Sequence, residues 1–293
     1  MTILQAIFLG LVQGLTEFIP VSSTAHLVFA ARFVSLYGGV DKTLQAEQTT
    51  ATIAVIQLGT LLAVLIYFAR DIVNILSAFI SDHLALLRKQ GEPGKPKLSR
   101  DAWLGWLVII GSLPVGTIGL LLKKQIEGPF TKNLWVIATM MIVVGALMAV
   151  AELVGKRNHD MENLSVRDAL AVGSAQVLAL IPGSSRSGST IMGGLFSGLT
   201  RETAARFSFL LSIPAIAASG LLELKEAVEK LPPGSYGALL VATFVAGVVG
   251  YASIWFLLRF LRTHSTAVFI VYRVIVGAAI LVALASGYMA ASI

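Results

Sequence analysis

Long apolar runs, at residues 51–69, 103–122, 134–154, 204–222, 237–260 and 266–290, constrain this chain more than any other feature. About twenty apolar residues in a helix span the hydrocarbon core of a bilayer. Within that core a helix satisfies its own backbone, which an isolated extended segment does not. Shorter apolar segments lie at 3–12, 72–87 and 191–199. The 293 residues are 56% hydrophobic and 13% charged, with a mean hydropathy of +0.83. These values exclude the soluble classes and predict an all-α polytopic membrane protein.

The chain has no cysteine, which excludes disulfides, thiolate nucleophiles and cysteine-ligated metals. The net charge of +6 does not call for nucleic acid. The basic residues cluster in short loops, above all Arg88, Lys89, Lys95, Lys97 and Arg100 of the stretch 88–101. That is the pattern of loops retained in the cytoplasm. The apolar residues 3–12 run directly into polar, motif-like sequence, so no cleavable signal peptide is expected.

One polar stretch interrupts the apolar sequence in the second half: Pro182-Gly183-Ser184-Ser185-Arg186-Ser187-Gly188-Ser189-Thr190. Pro182 cannot continue a helix, and Gly183 frees the backbone to turn. A new helix starting there would aim its free N–H groups, several hydroxyls and a guanidinium into the break, which suits a phosphate. A kinked helix packed through small residues would use the same serines and glycines, but it has no need of an arginine. In the first half, Phe18-Ile19-Pro20-Val21-Ser22-Ser23-Thr24 matches Leu180-Ile181-Pro182-Gly183-Ser184-Ser185-Arg186 at an offset of 162. Two Pro-broken segments at corresponding places predict internal repeat halves, approximately 1–150 and 151–293, within one membrane domain. In inverted repeats the ligand site lies where the broken elements meet. The number of spans between the two copies decides whether these repeats are inverted or parallel.

Glu17 lies one helical turn after Gln13, on the same face. A carboxylate in apolar sequence is costly unless paired or bound to metal, and Arg186 and Arg273 are the available partners. A hard divalent cation held by Glu17 and Gln13 would need further oxygens from a phosphate. Ser22 and Ser23 follow Pro20 and suit a helix cap. His26, three residues after Ser23, makes a Ser23–His26 pair the candidate nucleophile and base, with His26 alone or an activated water as alternatives. Arg273 is deep in an apolar run and is expected to face the site. Gln57 and Gln176 are expected to bridge helices, and His83, His159, His264, Arg201 and Arg206 to sit at the interface.

Gln13-x-x-x-Glu17, Pro20-Val21-Ser22-Ser23-Thr24-Ala25-His26 and Pro182 through Thr190 together resemble the undecaprenyl-pyrophosphate phosphatases of the bacitracin-resistance type. The similarity covers nearly the whole chain. It implies a fold of about six transmembrane helices plus two re-entrant helical hairpins. It also implies hydrolysis of a C55 polyprenyl diphosphate to the monophosphate and inorganic phosphate, recycling the lipid carrier for peptidoglycan. A divalent cation, Mg²⁺ or Ca²⁺, is implied as cofactor, and the outer side of the bacterial cytoplasmic membrane as the side faced by the site. On this resemblance Glu17, Ser23, His26 and Arg186 are catalytic. Gln13, Ser22, Ser185, Ser187, Thr190 and Arg273 would contact substrate, and Glu17 and Gln13 metal. Monomer and homo-oligomer both remain open. The rival reading is a transporter or flippase for an anionic lipid, which would use the same broken-helix cradle without turnover.

Overall fold

The computed structural model describes residues 1–87, 98–122, 125, 133–232 and 234–291. Residues 88–97 of the basic stretch 88–101 lie outside them, as does most of 123–132. Among the described residues there are eleven α-helices and no strand. They are α1 (Ile3–Phe18), α2 (Ser23–Phe33), α3 (Lys42–Tyr67), α4 (Ala69–Leu87), α5 (Arg100–Leu121) and α6 (Leu134–Val154). After these come α7 (Val166–Gln176), α8 (Arg186–Ser197), α9 (Arg201–Lys230), α10 (Tyr236–Leu261) and α11 (Ala267–Ala285). The protein is an all-α, multi-pass membrane protein. Among the described residues five helices are long and apolar enough to cross a membrane: Thr43–Tyr67 of α3, then α5, α6, α10 and α11. α9 has 30 residues. By contrast α2, α7 and α8 have 11, 11 and 12 residues, too short to cross at about 1.5 Å per residue.

The two short helical pairs are built alike. Thr2 caps α1 with Gln5 returning the bond, and Ser165 caps α7 with Asp168 returning it. Gln13 and Gln176 then occupy the same turn of α1 and α7, an offset of 163. The offset of 162 expected from sequence holds only at the Ile-Pro dipeptides. The slip arises because Val177–Leu180 is a 3₁₀ turn where α1 stays α-helical. Four 3₁₀ residues, at about 2.0 Å each, cover the distance of five α-helical ones. After the break the helices restart at Ser23 and Arg186, again 163 apart.

The packing is reciprocal: outside its own hairpin α1 lies chiefly against α10 and α7 against α5, while α3 meets α9 and α6 meets α11. Small residues permit these approaches. A Cβ on Gly173 of α7 would fall 2.0 Å from the carbonyl oxygen of Gly111 on α5, and one on Gly10 of α1 would fall 2.5 Å from that of Ala242 on α10. Gly173→Ala therefore forces α7 off α5 and is expected to cost about 1–3 kcal/mol. A lowered thermal midpoint in detergent would register this. Gly116→Ala, on α5 with nothing within 4 Å of its added Cβ, should leave the midpoint unchanged or raise it.

One end of the molecule carries a charged rim. Glu152 accepts from Arg201 and Arg157, Arg206 pairs with Asp71 at 2.7 Å and Arg262 with Glu202 at 2.7 Å. These residues stand at the end of α6, the starts of α4 and α9, and just past the end of α10.

Candidate active site

Both breaks begin with a residue that proline pushes out of the helical region. Ile19 before Pro20 has ψ 135°, and Ile181 before Pro182 has ψ 118°. Each chain then turns through a serine at positive φ, Ser22 at 77° and Ser185 at 67°. Non-glycine residues adopt this region at a cost of order 1–3 kcal/mol, which gathers at functional sites. Each of the two serines caps the helix that follows: Ser22 Oγ accepts from Ala25 N–H at 3.5 Å, and Ser185 Oγ from Gly188 N–H at 3.1 Å. The first N–H groups of α2 and α8 have no intrahelical partner.

The two helix starts converge on Glu17, at the last turn of α1. Ser23, the first residue of α2, donates to Glu17 Oε2 at 2.8 Å, and Arg186, the first residue of α8, donates from Nη2 to Glu17 Oε1 at 3.0 Å. Gln13 Nε2 also donates to Glu17 Oε2, at 3.2 Å. The Glu17 and Arg186 side chains are only 6% and 12% exposed. The guanidinium carbon of Arg186 lies 5.9 Å from the centre of the Phe18 ring, a cation–π contact that helps orient its plane.

Glu17, Ser23, Ser185 and Arg186 line a cavity of about 260 Å³, with Gln13, Thr24, Gln57 and Gln176 among the other walls. Three buried side chains there have polar atoms with no partner: Oε1 of Gln13, Nη1 of Arg186, and both amide atoms of Gln176. Such atoms are costly in an apolar protein interior and call for a ligand. The cavity's formal charges, Arg186 and Glu17, sum to zero. Further along α5 and α9, Val108, Ile109, Leu210, Ile213 and Pro214 wall an apolar groove, also about 260 Å³.

Several expected site residues lie elsewhere. The Ser23–His26 hydrogen bond is not formed. His26 Nδ1 meets Ser22 O at 2.7 Å and Nε2 meets Tyr272 Oη at 2.6 Å, and the His26 and Tyr272 rings stack. Arg273 does not face the cavity. Fully buried, it donates to the carbonyl oxygens of Pro20 at 3.3 Å and of Gly183 and Ser184 at 3.0 Å, and to Met140 and Met141 of α6. One guanidinium thereby ties both breaks to a spanning helix. Ser187 donates to Ile19 O at 3.3 Å, and Thr190 bonds Ser208 at 2.5 Å. Both are buried between helices, as is Ser22 at its cap. Gln57 and Gln176, expected as bridges between helices, are cavity walls.

The family model described as Bacitracin resistance protein BacA matches residues 6–279. The chain belongs to the BacA family. A relative from Syntrophobacter fumaroxidans, called undecaprenyl-diphosphatase, is 53% identical over 281 residues, covering 96% of this chain and 97% of its own. Relatives of the same name from Mycobacterium ulcerans and Mycolicibacterium gilvum are 48% and 46% identical, over 98% and 99% of this chain and 99% and 100% of theirs. In this BacA-family chain no group of three or more His, Cys, Asp or Glu occurs among the described residues. The charged oxygen donor at the cavity is the Glu17 carboxylate; the amide oxygens of Gln13 and Gln176 are both unpartnered there, and Gln13 stands beside Glu17 on α1. That pair fits a hard, oxygen-seeking cation that takes its remaining ligands from phosphate and water.

Proposed function

We propose that the protein hydrolyses undecaprenyl diphosphate to undecaprenyl phosphate and inorganic phosphate, with chemistry at the cavity where the two breaks meet. The observation that carries this reading is the single cluster of Ser23, Glu17 and Arg186, drawn from both halves of the chain. Arg186 Nη1 and the free N–H groups at the start of α8 hold the terminal phosphoryl group, as helix N-termini and guanidinium forks do. Ser23 Oγ attacks the terminal phosphorus and passes its proton to Glu17. The bond from that phosphorus to the bridging oxygen breaks, and undecaprenyl phosphate leaves. Glu17 gives that proton to the departing group. Water then attacks the phosphorus on Ser23, losing a proton through Glu17 to Ser23 Oγ as the Oγ–P bond breaks, and inorganic phosphate leaves. Positioning and charge neutralisation supply most of the acceleration. Glu17 and Gln13 would hold Mg²⁺ or Ca²⁺, whose charge offsets the anionic diphosphate in a cavity that is otherwise neutral. His26 and Arg273 act as positioning residues.

The hairpins α1–α2 and α7–α8 are re-entrant and belong to inverted halves, 1–150 and 151–293. Three spans, α3, α5 and α6, separate them, and with α9, α10 and α11 make six. An odd number of intervening spans places the hairpins on opposite faces, which the reciprocal packing supports. The charged, arginine-rich rim faces the cytoplasm of a bacterial inner membrane. Ile53 and Val115 line the cavity from the halves of α3 and α5 remote from that rim, with Gln57 close to the middle of α3, which supports an outer-facing site. The apolar groove along α5 and α9 suits the prenyl chain.

Phosphate release from C55 polyprenyl diphosphate by the purified protein in detergent tests this. EDTA is expected to abolish release and added Mg²⁺ or Ca²⁺ to restore it. Ser23→Ala should lower release by about 10³-fold or more, the loss seen when an activated nucleophile is removed. Tight binding of the lipid by wild type without release would favour the transporter reading instead.

A further inference from the structure

Gln176 is buried, with 1% of its surface exposed, and neither atom of its amide has a protein partner. It lines the cavity that holds Glu17 and Arg186. Its register partner in the other hairpin is Gln13, whose Nε2 is committed to Glu17 and Thr60. Residue 180, four positions on from Gln176 as Glu17 is from Gln13, is leucine. The second amide therefore has no carboxylate of its own to bind. A buried amide of this kind keeps its place against the desolvation cost only if something it binds needs it.

We propose that Gln176 is a substrate-binding residue that donates from Nε2 to the phosphoryl group retained by the lipid, while Arg186 holds the group that is removed. This rests on the diphosphatase reading and adds to it the residue that meets the phosphoryl group common to the diphosphate substrate and the monophosphate product. The two groups reach the cavity on different elements: Arg186 starts α8 beside Ser23 and Glu17, and Gln176 ends α7 beside the wall Ala179–Gly183. A neutral donor suits the retained group, because it adds no charge that would hold the product after cleavage.

The test uses Gln176→Leu, which keeps much of the volume and removes both polar atoms, and Gln176→Glu, which replaces the donor by an acceptor. The probes are the C55 diphosphate for kinetics and methylenediphosphonate, a non-hydrolysable diphosphate, for affinity. Gln176→Leu should weaken methylenediphosphonate binding and raise KM by about tenfold or more, the effect of one hydrogen bond to a charged group. The thermal midpoint without ligand should stay or rise, since an unsatisfied buried amide has been removed. Gln176→Glu should weaken binding further. Unchanged affinity in Gln176→Leu, or a fallen midpoint at unchanged affinity, overturns the proposal, and so does retained affinity in Gln176→Glu. If wild type hydrolyses the lipid and Gln176→Leu is indistinguishable from it, the diphosphatase reading stands and this assignment fails. If wild type binds methylenediphosphonate through Gln176 but releases no phosphate, the contact stands and the diphosphatase reading fails. A wild type that neither binds nor hydrolyses overturns both.

Discussion

Arg186→Ala is expected to lower kcat/KM for phosphate release by about 10³-fold or more, in the range lost when an arginine that stabilises phosphoryl transfer is removed. The guanidinium has one nitrogen on Glu17 and another buried without a partner. Its truncation removes the cation from the cavity and leaves Glu17 without its ion pair. Arg186→Lys should recover only a small part, because an ammonium is a single point charge and cannot bond carboxylate and phosphate in one plane. Both variants should remain folded, since the ends of α8 are held by other bonds: the Ser185 cap and Gly198 at φ 100° closing the C-terminus. Steady-state phosphate release with the thermal midpoint measured in parallel checks this. Activity within tenfold of wild type in Arg186→Ala would remove the residue from the reaction.

The second large effect concerns stability. Arg273→Met should lower the thermal midpoint more than any cavity substitution, at a cost of order 3 kcal/mol or more, because it strips donors from several buried carbonyls at once. Those carbonyls belong to Pro20, Gly183 and Ser184 in the two breaks and to Met140 and Met141 in α6. Loss of activity would follow from loss of alignment between Ser23 and Arg186, so kcat should fall together with the midpoint. Arg273→Lys should restore part of each. A variant of normal stability and altered KM would instead mean that Arg273 meets substrate.

The residues that cost most in a membrane were the ones whose place could be read from sequence. Apolar runs of the right length gave the spanning helices, and Pro20, Pro182 and the serines after them gave the breaks. The expense of an isolated carboxylate left Glu17 two partners, Arg186 and Arg273, and the structure joins it to Arg186 at 3.0 Å. What failed to show was direction. Ser23 and His26 are three residues apart and share a helical face, yet Ser23 starts α2 and turns to α1, while His26 turns to Tyr272. Spacing along one helix carries no information about the neighbour each side chain selects. Arg273 was expected to meet an anion, because a guanidinium in apolar sequence needs acceptors; backbone carbonyls satisfy that need and leave no mark in the sequence. Gln176 resembled any polar residue that bridges helices. It stands six residues before Pro182 where Gln13 stands seven before Pro20, and the 3₁₀ turn accounts for that one-residue difference.

That both breaks form one active site is tested most directly by a double-mutant cycle on phosphate release, comparing wild type, Glu17→Ala, Arg186→Ala and the double variant. Residues acting as one unit are strongly non-additive. The expected result is that the double variant is no slower than the worse single variant, within about threefold. Losses that multiply, with each variant impairing the other's background in full, would mean that Glu17 and Arg186 work independently, and would contradict a single site built from the two halves.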